Sequence, residues 1–180
     1  MKIRGKSISV VQIICLAVYY GFARYLPQSH TYWQVGGVIR RFLCKHIFKY
    51  SGKCINVERM AWFASGVDIE LGDYSNLGIN CHVPNGTIIG DNVMMGPNCF
   101  ILDINHRFDD VDTPMIMQGS SDKKITRIGN DVWIGRDVFM TPGRTIADHC
   151  IVAGRCVLCK DFPEYFIIGG NPSKIIRMRK

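Results

Sequence analysis

The residue best placed to do chemistry is a histidine. His106 closes the run Asp103-Ile104-Asn105-His106, just before a stretch where the regularity of the surrounding sequence stops. Imidazole is the side chain that ordinarily changes charge between about pH 5 and 8, so it can take a proton from a hydroxyl as a general base. Asp103 and Asn105 stand beside it as candidates for contact with the molecule that carries the hydroxyl. The plain alternative is a partly exposed, hydrogen-bonding loop residue. His82 and His149 fall in turn-like positions, and His30 and His46 lie far from this region.

The elements that must position His106 are announced by period. From Leu71, every sixth residue is aliphatic: Leu71, Leu77, Val83, Ile89, Met95 and Ile101. After an interruption the run resumes as Ile128, Ile134, Met140, Ile146, Val152 and Leu158. Six matches neither the helical period of 3.6 nor the strand period of 2. A short fixed repeat of this kind means a solenoid of stacked coils, here an all-β one with three hexads to a triangular coil. Glycine often follows the aliphatic residue, as at Gly72, Gly78, Gly90 and Gly96, and Asp or Asn often comes next, which is corner chemistry. The fifth position is small or β-branched, and Cys81, Cys99, Cys150 and Cys156 occupy it. Four of the eight cysteines are thereby read as reduced core thiols. Cys156 and Cys159 make a lone CxxC with no second pair, which argues against zinc. Arg144 breaks the fifth-position rule.

A chain of 180 residues fits one domain. Its organisation reads as an N-terminal helical segment over 1–54, a β-helix over 55–168 with an extruded loop at 107–127, and a basic tail at 169–180. Ile55, Ala61 and Val67 give the solenoid a ragged start in their own six-residue frame, and a step of four resets it at Leu71. A long loop leaving a regular scaffold is usually functional. Residues 8–26 are largely apolar and near the length of a membrane span. The favoured reading is a buried helix, ahead of interfacial attachment helped by the basic amphipathic stretch Arg40–Lys49, and well ahead of a true span. A second helix is expected over Val35–Tyr50 with Gly52 near its cap, a loop over Pro27–Trp33, and a short helix from Ser173. The formal charge of +7 suits anionic partners, and no nucleic-acid motif accompanies it. The basic residues cluster at Arg40–Lys53 and Lys174–Lys180.

Four runs carry a resemblance. They are Ile89–Asn98, Asn105-His106, Ile128–Gly135 and Gly169–Arg177. Together they resemble the hexapeptide-repeat O-acetyltransferases, notably the maltose, galactoside and nodulation-factor enzymes and those of capsule or exopolysaccharide synthesis. The resemblance covers residues 55–180. It implies a left-handed parallel β-helix, a homotrimer with active sites between subunits, acetyl-CoA as cosubstrate and no metal. His106 matches the family's base, which deprotonates an acceptor hydroxyl for direct attack on the thioester. Trp133, Ala153 and Arg155 match positions along the pantetheine arm, and Lys160, Lys174 and Arg177 match basic positions that meet the cofactor's phosphates. Asn80 matches part of an acceptor-side segment, but Gly78 stands where that segment begins with Asn. The implied acceptor is a sugar of a bacterial surface glycan. The implied setting is the cytoplasm, with contact at the inner face of the membrane.

Other readings share the solenoid. A γ-class carbonic anhydrase needs three histidines on a metal, and His82, His106 and His149 lack its close two-histidine spacing. Serine acetylation would call for a large N-terminal helical domain. An acetyltransferase with a non-sugar acceptor keeps every motif. A non-catalytic trimeric scaffold or membrane-surface module would keep the rungs without needing His106.

Overall fold

The computed structural model describes residues 2–3, 6–31 and 34–179. Trp33 and Lys180, the ends of the expected loop and tail, lie outside the described residues. The chain winds into a three-sided tube of parallel two-residue strands. The first side stacks Tyr50–Ser51, Glu70–Leu71, Ile88–Ile89, Arg127–Ile128 and Thr145–Ile146 in register. The second stacks Asn56–Val57 on Asn76–Leu77, and above them Met94–Met95, Trp133–Ile134, Ile151–Val152 and Phe166–Gly169. The third carries Trp62, His82, Phe100–Ile101, Phe139–Met140 and Val157–Leu158.

All twelve aliphatic residues of the hexad frame point inward and are buried. Each strand is too short to be stable alone, so the tube holds because each rung buries its side chain against the coils above and below. Cys81, Cys99, Cys150 and Cys156 are buried free thiols behind these rungs, and burial pushes the pKa of all four up. The corners are made by residues with positive φ, among them Asn80, Asn92, Asn98, Asp131 and Asp137. Asn and Asp tolerate this region better than other side chains. Arg144 alters its rung as an outlier should: it turns to the corner, where it donates to the Cys159 carbonyl at 3.1 Å and lies 3.5 Å from Asp161.

The first coil differs from the sequence-based frame. Its rungs are Ser51, Val57 and Phe63, in phase with one another and two residues out of phase with Leu71. Ile55 and Ala61 are buried as well, but at the small fifth position. The extra pair of residues is absorbed at the corner 64–66, where Ala64 and Gly66 both have positive φ.

Two helices cap the open end of this coil. Helix α1 (Val10–Gly21) starts in a capping box, with Gln12 N–H donating to Ser9 Oγ and Ser9 N–H to Gln12 Oε1, each at 3.1 Å. Helix α2 (Val35–Ile47) runs back along it and stops at an extended Phe48, short of Tyr50 and without Gly52 as its cap. A first coil has no coil beneath it, so its backbone groups need other partners. The helices supply them. Tyr19 Oη donates to the Ala61 carbonyl at 2.9 Å, Tyr20 Oη to Ala64 at 2.8 Å and Arg40 Nε to Val57 at 2.6 Å, while Met60 N–H donates to the Arg24 carbonyl at 2.9 Å. Residues 8–26 thus form the end cap, and among the described residues no helix is long and apolar enough to cross a membrane.

The far end is closed by a strand rather than the expected helix. Lys174–Met178 pairs antiparallel with Phe166–Gly169, so the last coil's open edge finds backbone partners in the tail itself. Arg179 then ties the tail back, donating to Asp131 at 2.9 Å.

Candidate active site

The loop that carries His106 leaves the corner between the third and first sides. Its root is a two-stranded clasp. Lys124 N–H donates to the Asp103 carbonyl at 2.7 Å, Ser121 N–H to Asn105 at 2.8 Å and Arg107 N–H to Gly119 at 3.1 Å, and His106 bridges Ser120. Asp103 forms an ion pair with Lys123 at 3.0 Å, and the Asn105 carboxamide oxygen accepts the His106 N–H at 3.0 Å. Asp103 and Asn105 therefore hold the clasp, while the His106 side chain stands exposed. The clasp fixes the backbone on both sides of the base and leaves its ring free to meet a second molecule.

The other sequence-derived site residues lie elsewhere. Trp133 projects from the second side, half exposed, between Met94 and Ile151 in register. Ala153 and Arg155 follow at the corner after that side, and Arg155 lies 3.8 Å from Asp137. Lys174 and Arg177 lie on the closing strand of the same sheet, opposite Gly169 and Ile167. Lys160 sits apart, at the corner from which the loop emerges lower down, with its ammonium over the Phe162 ring. Asn80 is a corner residue: its Nδ2 donates to Asn98 at 3.1 Å, and Asn98 donates in turn to Asp137 at 2.8 Å. His82 is stacked between Trp62 and Phe100, and His149 is paired with Asp131 at 2.9 Å. These two and His106 occupy three separate parts of the tube, and among the described residues no three metal-ligating side chains come together.

Below Trp133 on the second side lies a cleft of about 410 Å³ that the sequence did not disclose. Its lining includes His30, Asn56, Glu58, Asn76, Gly78 and Met94. The polar floor is a closed network. Glu58 accepts from Ser29 N–H at 3.1 Å and from Asn56 Nδ2 at 2.9 Å, and Ser29 Oγ donates to Asn56 at 2.8 Å. Behind it, fully buried Arg40 lies 3.8 Å from Glu58. Gly78 lets the second and third coils stack closely at its rim, because a Cβ there would overlap the Gly96 carbonyl. A reading of the first coil in phase with Val57 aligns Asn56 with Asn76 on this side, which is the one sequence signal for the cleft.

Burial pushes the Glu58 carboxyl up, but the hydrogen bonds from Ser29, Asn56 and Arg59 outweigh it and hold the pKa below the usual value. A depressed carboxylate stabilises the fold above its unfolded pKa and loses that contribution as pH falls through the folded value. The chain is therefore expected to lose this contribution as pH falls below about 4.3, the usual glutamate pKa, through the lower folded value. Urea midpoints across this range should show a shallower loss in Glu58→Gln. Parallel curves would remove the carboxylate from the account.

Side two is thus graded. Asn56, Glu58 and Asn76 give the cleft a polar floor beneath an apolar rim of Ile79, Met94 and Pro97. Met94, Trp133 and Ile151 form an apolar strip, and Lys174 and Arg177 add positive charge at the top. The loop with His106 leaves the corner between the third and first sides, the corner that does not border this side.

Comparisons with known proteins follow the same lines. The family model for the bacterial transferase hexapeptide (six repeats) matches residues 68–103. Galactoside O-acetyltransferase of Escherichia coli K12 is 31% identical over 140 residues, covering 77% of this chain and 68% of that protein. A probable acetyltransferase of Mycobacterium tuberculosis is 39% identical over 92 residues, which is 51% of this chain but only 30% of that longer protein. Among solved structures, a galactoside acetyltransferase in complex with coenzyme A superposes with a TM-score of 0.77 at 26% identity, over 94% of this chain and 81% of that one.

Proposed function

Because the chain belongs to the hexapeptide-repeat O-acetyltransferases and shares their left-handed parallel β-helix, we propose that it transfers an acetyl group from acetyl-CoA to a sugar hydroxyl in surface-glycan synthesis. The observation that carries this reading is the graded second side. A strip running from polar through apolar to cationic suits an acceptor, a pantetheine arm and phosphates in that order. Trp133 and Ala153 would line the arm, and Lys174 and Arg177 would meet the phosphates, with Arg155 as a flanking cation. The cleft residues Asn56, Glu58 and Asn76 would orient the acceptor, with Asn80 stiffening the adjoining corner.

His106 must then come from a neighbouring copy, and this favours a homotrimer with its sites between subunits. The extruded loop supports that arrangement. It exposes Phe108, Val111, Ile116 and Met117, with Val111 93% accessible, and these apolar tips gain by lying against a second chain. In the reaction, His106 would accept the hydroxyl proton as the oxygen attacks the thioester carbon. It would then pass that proton to the departing sulfur. The chain's own contribution is mainly to hold two substrates in line.

The test is release of free thiol from acetyl-CoA with a panel of free, nucleotide-linked and lipid-linked sugars. Release that depends on one of these acceptors is expected, with lipid-linked sugars favoured if the enzyme works at the inner face of the membrane. Release with non-sugar hydroxyl compounds alone would overturn the glycan reading.

A further inference from the structure

The end cap carries a surface that acetyl transfer does not use. Helix α1 contains no charged residue, and its outer face exposes Val10, Val11, Ile14 and Val18, continued by Phe22 and Tyr25. Helix α2 lies antiparallel beside it, tied through Gln12 Nε2 to the Ile47 carbonyl at 3.0 Å, and exposes Val35, Val38 and Phe42. Val10 is 71% accessible and Phe42 61%. Side chains this large are normally scattered singly on a surface, not aligned along two adjacent helices. Lys45 and His46 follow Phe42 as exposed basic residues at the end of α2 next to the start of α1, and Lys49 beyond them is paired with Glu70 at 2.6 Å.

The charge distribution identifies what this face meets. Before Glu58 the chain has nine Lys and Arg and no Asp or Glu. The remaining residues hold thirteen basic against fifteen acidic side chains, so the whole formal excess of +7 lies in the sequence before Glu58, where Arg40 is buried against that carboxylate. A second copy presenting the same face would bring like charge against like charge. An anionic bilayer surface offers the reverse: headgroups for the lysines and acyl boundary for the valines and phenylalanine. Because neither helix can span, contact lies in the plane of the interface.

We propose that the outer face of the α1–α2 cap docks on anionic phospholipid membrane. The surface is read from the cap alone. Its use to the enzyme rests on the acetyltransferase reading above. The cap closes one end of the tube, so association of tubes side by side leaves it open. His106 follows the third coil, two strand spacings or about 10 Å above the first. The helical layer adds about another 10 Å. The base would then stand roughly 20 Å above the lipid.

The experiment is flotation of the purified chain with vesicles of phosphatidylcholine alone and of phosphatidylcholine mixed with phosphatidylglycerol. Binding is expected only to the anionic vesicles and should weaken with salt. Lys45→Glu changes two unit charges and should weaken it about 25-fold. Ile14→Ser with Phe42→Ser should abolish it while leaving acetyl transfer to a water-soluble acceptor unchanged, since both side chains are exposed and distant from the site. That last measurement separates this proposal from the acetyltransferase reading. Equal binding to both vesicle types, or binding unchanged in the variants, would overturn the docking face. So would failure of the wild type to float, which would leave an acidic protein as its partner. A wild-type oligomer that shrinks in Ile14→Ser/Phe42→Ser would make it a contact between copies and end the proposal.

Discussion

His106→Ala is expected to lower acceptor-dependent acetyl transfer by about 10²–10⁴-fold, the usual worth of a positioned general base. The loss should fall on turnover rather than on the KM for acetyl-CoA, because Trp133 and the cationic strip lie on a different side of the tube. Folding should be preserved. The clasp is held by backbone bonds from Arg107, Ser121 and Lys124 and by the Asp103–Lys123 pair, and none of these uses the imidazole. Thiol release by wild type and variant, alongside their thermal unfolding, makes the comparison. Activity within a few-fold of wild type would remove His106 as the base and leave the family assignment standing.

Arg40→Met is expected to destabilise the chain by about 3–5 kcal/mol, the cost of breaking a buried ion pair from one side. Arg40 is fully buried and spends its donors on the carbonyls of Val57, Ala23, Leu26 and Pro27 and on Ser29 Oγ. Burial pulls its pKa down, and Glu58 opposes that pull. Removing the guanidinium leaves those acceptors and the Glu58 carboxylate without their cation. Lysine cannot replace it, because an ammonium has three donors at one point where the site needs a planar fork. Arg40→Met with Glu58→Gln should recover part of the loss. Urea denaturation reads all of these, and a cost under about 1 kcal/mol would mean the cap is held by its apolar contacts instead. Because Glu58 also floors the cleft, acceptor KM should rise in Arg40→Met before the fold is lost.

Much of this protein is legible residue by residue. The position of a side chain in the hexad sets whether it faces in, faces out or turns a corner, so Leu71 through Leu158 and the four core cysteines could be placed by counting. Arg144 could be flagged as a broken rung for the same reason. Counting failed at the first coil, where two extra residues at the corner 64–66 shift the phase. That shift hid the alignment of Asn56 with Asn76, and with it the cleft. His149 sits at a positive-φ corner, as its turn-like position indicated, and so does Asn80, each bonded to an adjacent coil.

The tube, its rungs and the exit point of the loop follow from residue order alone, because a six-residue repeat is local information that needs no knowledge of distant partners. How the ends are closed, which side carries the cleft and which corner carries His106 relative to it are properties of the folded molecule. Those depend on bonds between residues far apart in the chain, such as Arg40 to Val57, Tyr19 to Ala61 and Arg179 to Asp131. Two of these three bonds end on a backbone carbonyl, which every residue type offers, so no pattern of side chains along the chain announces them.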